Sequence, residues 1–191
     1  EHPDFCSAAS SYKGHSHHFY FTNSGWYAAG RKLLFSSERC NRRNLFGVDL
    51  ETGDIEQLTD INPAPGQAEP DFLRACKNPL RDEVYFWQGA TLHAVDLASH
   101  AMREVFVVDP GWSASGGSIL SCSADGRYVC FGSGAAGPSE PRVDRPAGYV
   151  GLQKRWESMP HCRIMRVPVD GGAGQVLFEE HYWIGHVNTS P

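Results

Sequence analysis

Apolar residues recur along the chain in short runs of four to eight, set off by glycine, proline and small polar clusters, which is the pattern of strands joined by tight turns. Three stretches superpose on one another: residues 45–58 (LFGVDLETGDIEQL), 92–105 (LHAVDLASHAMREV) and 164–177 (IMRVPVDGGAGQVL). Each predicts a strand, a short turn and a second strand, with Val48, Val95 and Val167 in equivalent places. Ahead of each hairpin lies a further pair of predicted strands, at 18–22 and 32–36, at 72–76 and 84–87, and at 119–123 and 128–131. Gly30 and Gly126 fall in the turns of the first and third pairs, where positive φ is expected and glycine adopts it without steric cost.

Val48 and Val95 are 47 residues apart, close to the roughly 40 to 50 residues of one four-stranded propeller blade. Val95 and Val167 are 72 apart, one such unit enlarged by an insertion at 134–160, between the second and third strands of the third unit. The expected fold class is therefore all-β, a partial β-propeller of three four-stranded blades plus the first strand of a fourth. Its units are 15–60, 71–109 and 117–179, with a further one opening at 182–191. So few blades leave open faces and unpaired edges, so a longer parent protein is expected.

Composition supports the class. Twenty glycines, twelve prolines, ten phenylalanines, seven tyrosines and five tryptophans suit turns and strands better than helices. The net charge of -5 is spread along the chain with no basic block, which argues against a nucleic-acid partner. No apolar run reaches the roughly 18 residues of a membrane span, so no membrane association is expected. The six cysteines (Cys6, Cys40, Cys76, Cys122, Cys130 and Cys162) form no CxxC pair and read as free, mostly buried thiols, which fits a reducing compartment. The chain opens at Glu1 without methionine, leaving a preceding leader open.

Candidate chemistry gathers where inner strands would enter a central channel. His15, His17 and His18 precede an aromatic triplet, and alternation along a strand allows His15 and His17, but not His18, to share a face. His186 holds the corresponding position in the last unit. Arg42 and Arg43 precede a third strand, and Lys154, Arg155 and Arg163 flank the insertion. Cations there suit a carboxylate-bearing ligand, which arginine grips with two parallel hydrogen bonds. We take His17, His18, Arg42, Lys154, Arg155, Arg163 and His186 as candidate substrate-binding residues, each with an ordinary surface or core role as the alternative. There is no GxSxG elbow, phosphate-binding loop, dinucleotide fingerprint or HExxH motif.

The run 17–35, with a histidine before the aromatic triplet and then Gly-Arg-Lys-Leu-Leu-Phe, resembles the first blade of the oligogalacturonate lyases. So do 48–53 followed by Gln57, Leu58 and Thr59, the insertion ending in 162–167, and 183–186 opening the next blade. The resemblance implies the N-terminal half of a seven-bladed, cytoplasmic enzyme. Such an enzyme cleaves short oligogalacturonides by β-elimination, using manganese held by histidines and a glutamine. Those ligands would lie beyond Pro191, so this stretch is expected to bind no metal, to be inactive alone, and to supply channel wall to blades completed by the rest of the protein. Pro168 stands where the family pattern has aspartate, a departure that bears on substrate preference. The rival readings are a noncatalytic TolB-like or WD40-like propeller that binds a protein or glycan, and the gating propeller of a serine peptidase.

Overall fold

The computed structural model describes residues 14–114, 118–136 and 157–189. These residues build three antiparallel sheets. The first comprises β1 (Ser16–His17), β2 (Trp26–Tyr27), β3 (Lys32–Ser37), β4 (Asn44–Asp49) and β5 (Ile55–Gln57). The second is β6 (Pro70–Lys77), β7 (Glu83–Gln88), β8 (Thr91–Asp96) and β9 (Met102–Val107). The third holds β10 (Trp112–Ser113), β11 (Ser121–Cys122), β12 (Tyr128–Ala135), β13 (His161–Pro168) and β14 (Gln175–His181). Each is a meander in which sequential strands pair. In the first and third, two short strands pair with opposite ends of β3 and β12 and together form the innermost strand.

Two apolar layers lie between the three sheets. The middle sheet is covered on both faces, which is why β7 reads as an unbroken apolar run. Val84 and Phe86 join Leu34, Leu45 and Phe72 in the layer toward the first sheet. Tyr85 and Trp87 point the other way and join Val129, Phe131, Met165 and Val167 from the third. Phe131 is fully buried and meets Trp87 edge-on, with ring centres 5.0 Å apart.

The repeat seen in the sequence is repeated in hydrogen bonds. Leu50, Leu97 and Val169 each donate a backbone N–H to the carbonyl of the residue just before β3, β7 or β12, at Arg31, Asp82 and Arg127. The turn that follows reaches positive φ at Gly53, His100 and Gly172, each four residues beyond Asp49, Asp96 or Pro168. The Asp49 carboxylate accepts from the Glu51 and Thr52 amides, and that of Asp96 from the Ala98 and Ser99 amides. Proline supplies no such acceptor in the third sheet, where the Pro168 carbonyl takes the Gly171 amide instead. Gly30 and Gly126 have φ of 84° and 67°, as the turns require.

The inner strands depart from the sequence expectation. Residues 18–22 form no strand: the chain leaves β1 at His17 and returns at Trp26, and the Tyr20 amide donates to Leu73 of the second sheet. In β6 the pairing shifts between Asp71 and Cys76. In the third sheet pairing resumes only at Ser121. Residues 183–189 carry no ladder. They lie against β11 through the Thr189 amide to Ser121 Oγ (3.0 Å) and Thr189 Oγ1 to the Cys122 carbonyl (2.7 Å).

Candidate functional site

Because all three sheets are meanders, the connections β3–β4, β7–β8 and β12–β13, together with β5–β6 and β9–β10, lie at one end of the structure. The opposite end carries the tight turns described above. Among the described candidates, His17 and Arg163 lie within ladders, opposite Ser36 and Ser133, while His18, Arg42 and His186 lie outside them.

At the first sheet, His17 lies in β1 and its Nδ1 donates to the His18 carbonyl (3.1 Å). His18 is just outside the strand, and its Nδ1 donates to the Phe19 carbonyl (3.1 Å). Its ring rests against Gly25, where an added Cβ would come within 2.5 Å of Nε2, so only glycine admits that approach. Arg42 pairs with Asp60 at 3.2 Å in the open, a contact worth about 0–1 kcal/mol. Arg43 reaches Glu38 at 2.8 Å, and that hydrogen bond holds the Glu38 carboxyl below the usual range.

Arg163 differs from the other candidates. Its side chain is 7% exposed, lies 4.0 Å over the Trp112 ring and donates to Asp109 at 2.8 Å, so its guanidinium is already engaged within the third sheet. Two residues not singled out from the sequence flank it: His161, paired with Glu179 at 2.7 Å, and His181, whose ring stacks on that of His161 at 4.4 Å. They face each other across β13 and β14, a register that spacing alone does not give. Lys154 and Arg155 lie outside the described residues.

His186 meets the first sheet. Its Nε2 is 3.1 Å from the Tyr20 hydroxyl and the two rings stack at 5.3 Å, joining residues 166 positions apart. Tyr20 in turn contacts Phe21 at 4.4 Å. Asn23, from the same loop, donates its side-chain amide to Ala75 and Leu120, both at 2.8 Å, and so ties all three sheets together. The structure thus brings His18 and His186 to the inner-strand segment, keeps Arg42 and Arg163 in ion pairs, and adds Tyr20, Phe21 and Asn23. The aromatic triplet was visible in the sequence, but its departure from the strand was not.

Among the described residues no group of three or more His, Cys, Asp or Glu side chains is arranged to hold a metal. Cys76, Cys122, Cys130 and Cys162 are free thiols, and burial pushes the Cys122 thiol up to about 12. Cys40 is disulfide-bonded. That corrects the expectation of six free thiols and removes Cys40 from the argument for a reducing compartment. No described helix is long and apolar enough to cross a membrane.

No family model matches the chain. A curated relative, oligogalacturonide lyase of Pectobacterium atrosepticum, is 23% identical over 171 residues, covering 89% of this chain and 41% of the relative. The chain resembles oligogalacturonide lyases. A solved oligogalacturonate lyase in complex with manganese superposes with a TM-score of 0.71 at 24% identity, covering 88% of this chain and 42% of that one. The oligogalacturonate lyase of Vibrio parahaemolyticus gives 0.72 at 20%, covering 92% and 44%. A putative TolB of Agrobacterium tumefaciens gives 0.53 at 15%, covering 90% and 51%. These likenesses show the fold: the three sheets are propeller blades. The chain spans about two fifths of the length of the lyases it matches.

Proposed function

We propose that this chain is the N-terminal part of an enzyme that cleaves oligogalacturonides by β-elimination, and that it supplies wall to the substrate channel. The observation that carries the reading is agreement of two kinds over the same length: sequence similarity to a curated oligogalacturonide lyase along 89% of the chain, and superposition on two solved lyases above a TM-score of 0.7. The motif order read from the sequence points the same way.

The reaction removes the proton on the carbon α to a uronate carboxylate and expels the oxygen on the next carbon, so it needs a base and cations where negative charge develops. One solved relative is a complex with manganese, and we place the ligands of such an ion elsewhere in the full-length protein. What this part offers is hydrogen-bonding and aromatic surface along the inner strands, with arginines at the loop-bearing end. The remaining blades and the oligogalacturonide are its proposed partners, the cytoplasm its proposed compartment. A noncatalytic binding propeller rests on the weaker TolB likeness, and we do not favour it.

The test uses the full-length protein with unsaturated digalacturonate, following product release with manganese and with chelator. Turnover that chelator abolishes and manganese restores is expected, while residues 1–191 alone give none. No turnover of any oligogalacturonide under either condition would overturn the reading.

A further inference from the structure

Phe21 is 84% exposed, the most exposed large apolar side chain among the described residues. Isolated exposed hydrophobics are common on protein surfaces, but Phe21 is not isolated. Its ring contacts Tyr20 at 4.4 Å, and Tyr20 stacks on His186 at 5.3 Å, giving three planar rings in succession. The Tyr20 amide donates to the Leu73 carbonyl at 2.8 Å, which sets these rings beside the bulge in β6. Leu73 is itself 39% exposed there, and the next residue, Arg74, pairs with Asp71 while its side chain stays 34% exposed.

We infer that Tyr20, Phe21, His186 and Arg74 form a subsite for one uronic-acid ring of the substrate. One face of a pyranose presents C–H groups that pack on an aromatic ring, and the Tyr20–His186 pair offers hydroxyl and imidazole groups to the sugar hydroxyls. The Arg74 guanidinium has five N–H groups in a fixed fork; one is given to Asp71, and those remaining fit a carboxylate. A neutral hexose would lack the carboxylate, which is why the site is assigned to a uronate. The inference deepens the proposed lyase reading and rests on it for the identity of the sugar. The effect we assign to these residues is on binding.

The test is made on the full-length protein with the variants Phe21→Ala and Arg74→Gln. Binding of saturated digalacturonate and of a neutral galactose dimer is measured by calorimetry in chelator, and kcat and KM are measured separately with manganese. Phe21 buries so little surface that its removal leaves folding intact. Phe21→Ala is expected to weaken digalacturonate binding about tenfold and to raise KM by a similar factor, with kcat unchanged. Arg74→Gln is expected to weaken the acidic dimer and leave the neutral one as it was. Wild-type affinity in Phe21→Ala, or equal binding of both dimers by the parent protein, overturns the inference. Turnover with an unaffected KM in Phe21→Ala sinks the subsite and spares the lyase. Phe21-dependent digalacturonate binding without turnover supports the subsite and sinks the lyase.

Discussion

Asn78 shows how much one buried side chain can hold. Its amide donates to the Tyr85 hydroxyl (3.0 Å) and the Gly126 carbonyl (2.9 Å), while its oxygen accepts from the Leu80 and Arg81 amides. One amide thus joins the second and third sheets and closes a turn. Asn78→Ala is expected to cost about 2–3 kcal/mol in denaturant unfolding, because two of the groups it leaves, the Tyr85 hydroxyl and the Gly126 carbonyl, are buried. The turn aspartates make a pH-dependent contribution. The Ser99 amide holds the Asp96 carboxyl below its usual range, and the Glu51 amide does the same for Asp49. A carboxyl whose folded pKa is depressed adds stability that is present above the unfolded value and lost as pH falls through the folded one. Asp96→Ala should therefore lower the unfolding midpoint at neutral pH and make little difference once the medium is more acidic than the folded pKa. The roles of Asp49 and Asp96 were legible, since aspartate before a small polar turn has one obvious use. That of Asn78 was not, because its partners at Tyr85 and Gly126 belong to packing between sheets.

At the scale of elements, the hairpins followed from sequence and the inner strands did not. Period-two patterning and turn residues specify β4–β5, β8–β9 and β13–β14 locally, and Val48, Val95 and Val167 align as expected. Residues 18–22 are just as apolar and aromatic, but their backbone bonds to the neighbouring sheet, a competition that no local pattern reports. Asn23 fixes that arrangement. Asn23→Ala would leave the Ala75 and Leu120 carbonyls without their partner, at about 1–3 kcal/mol. It should also speed hydrogen exchange at the Tyr20 and Leu120 amides, whose acceptors lie in the second sheet. Phe131→Ala, which empties the layer between the second and third sheets, should cost about 3–5 kcal/mol in the same unfolding measurement. The candidate site divides in the same way. His18 and His186 were singled out because histidine stands out at a strand entrance, and their part in binding is a proposal; the burial of Arg163 against Trp112 and the pairing of His161 with Glu179 depend on register.

At the scale of the whole molecule the chain presents three blades, a loop-bearing end and an inner-strand surface, which the proposed function makes part of a longer propeller acting on a polyanionic sugar. The 47-residue spacing made the blades visible because a propeller repeats one supersecondary unit, so the same hydrophobic pattern must return with each. The path of 183–189 was not visible, because its hydrogen bonds run to Ser121 and Cys122 in the preceding sheet. A crystal structure of the full-length protein with saturated digalacturonate bound tests the central claim most directly. It should show these sheets as consecutive blades around one axis, with the acidic sugar reached from the end that carries the β3–β4 and β12–β13 connections. Sheets stacked face to face as a sandwich, or sugar bound only at the opposite end among the tight turns, would contradict it.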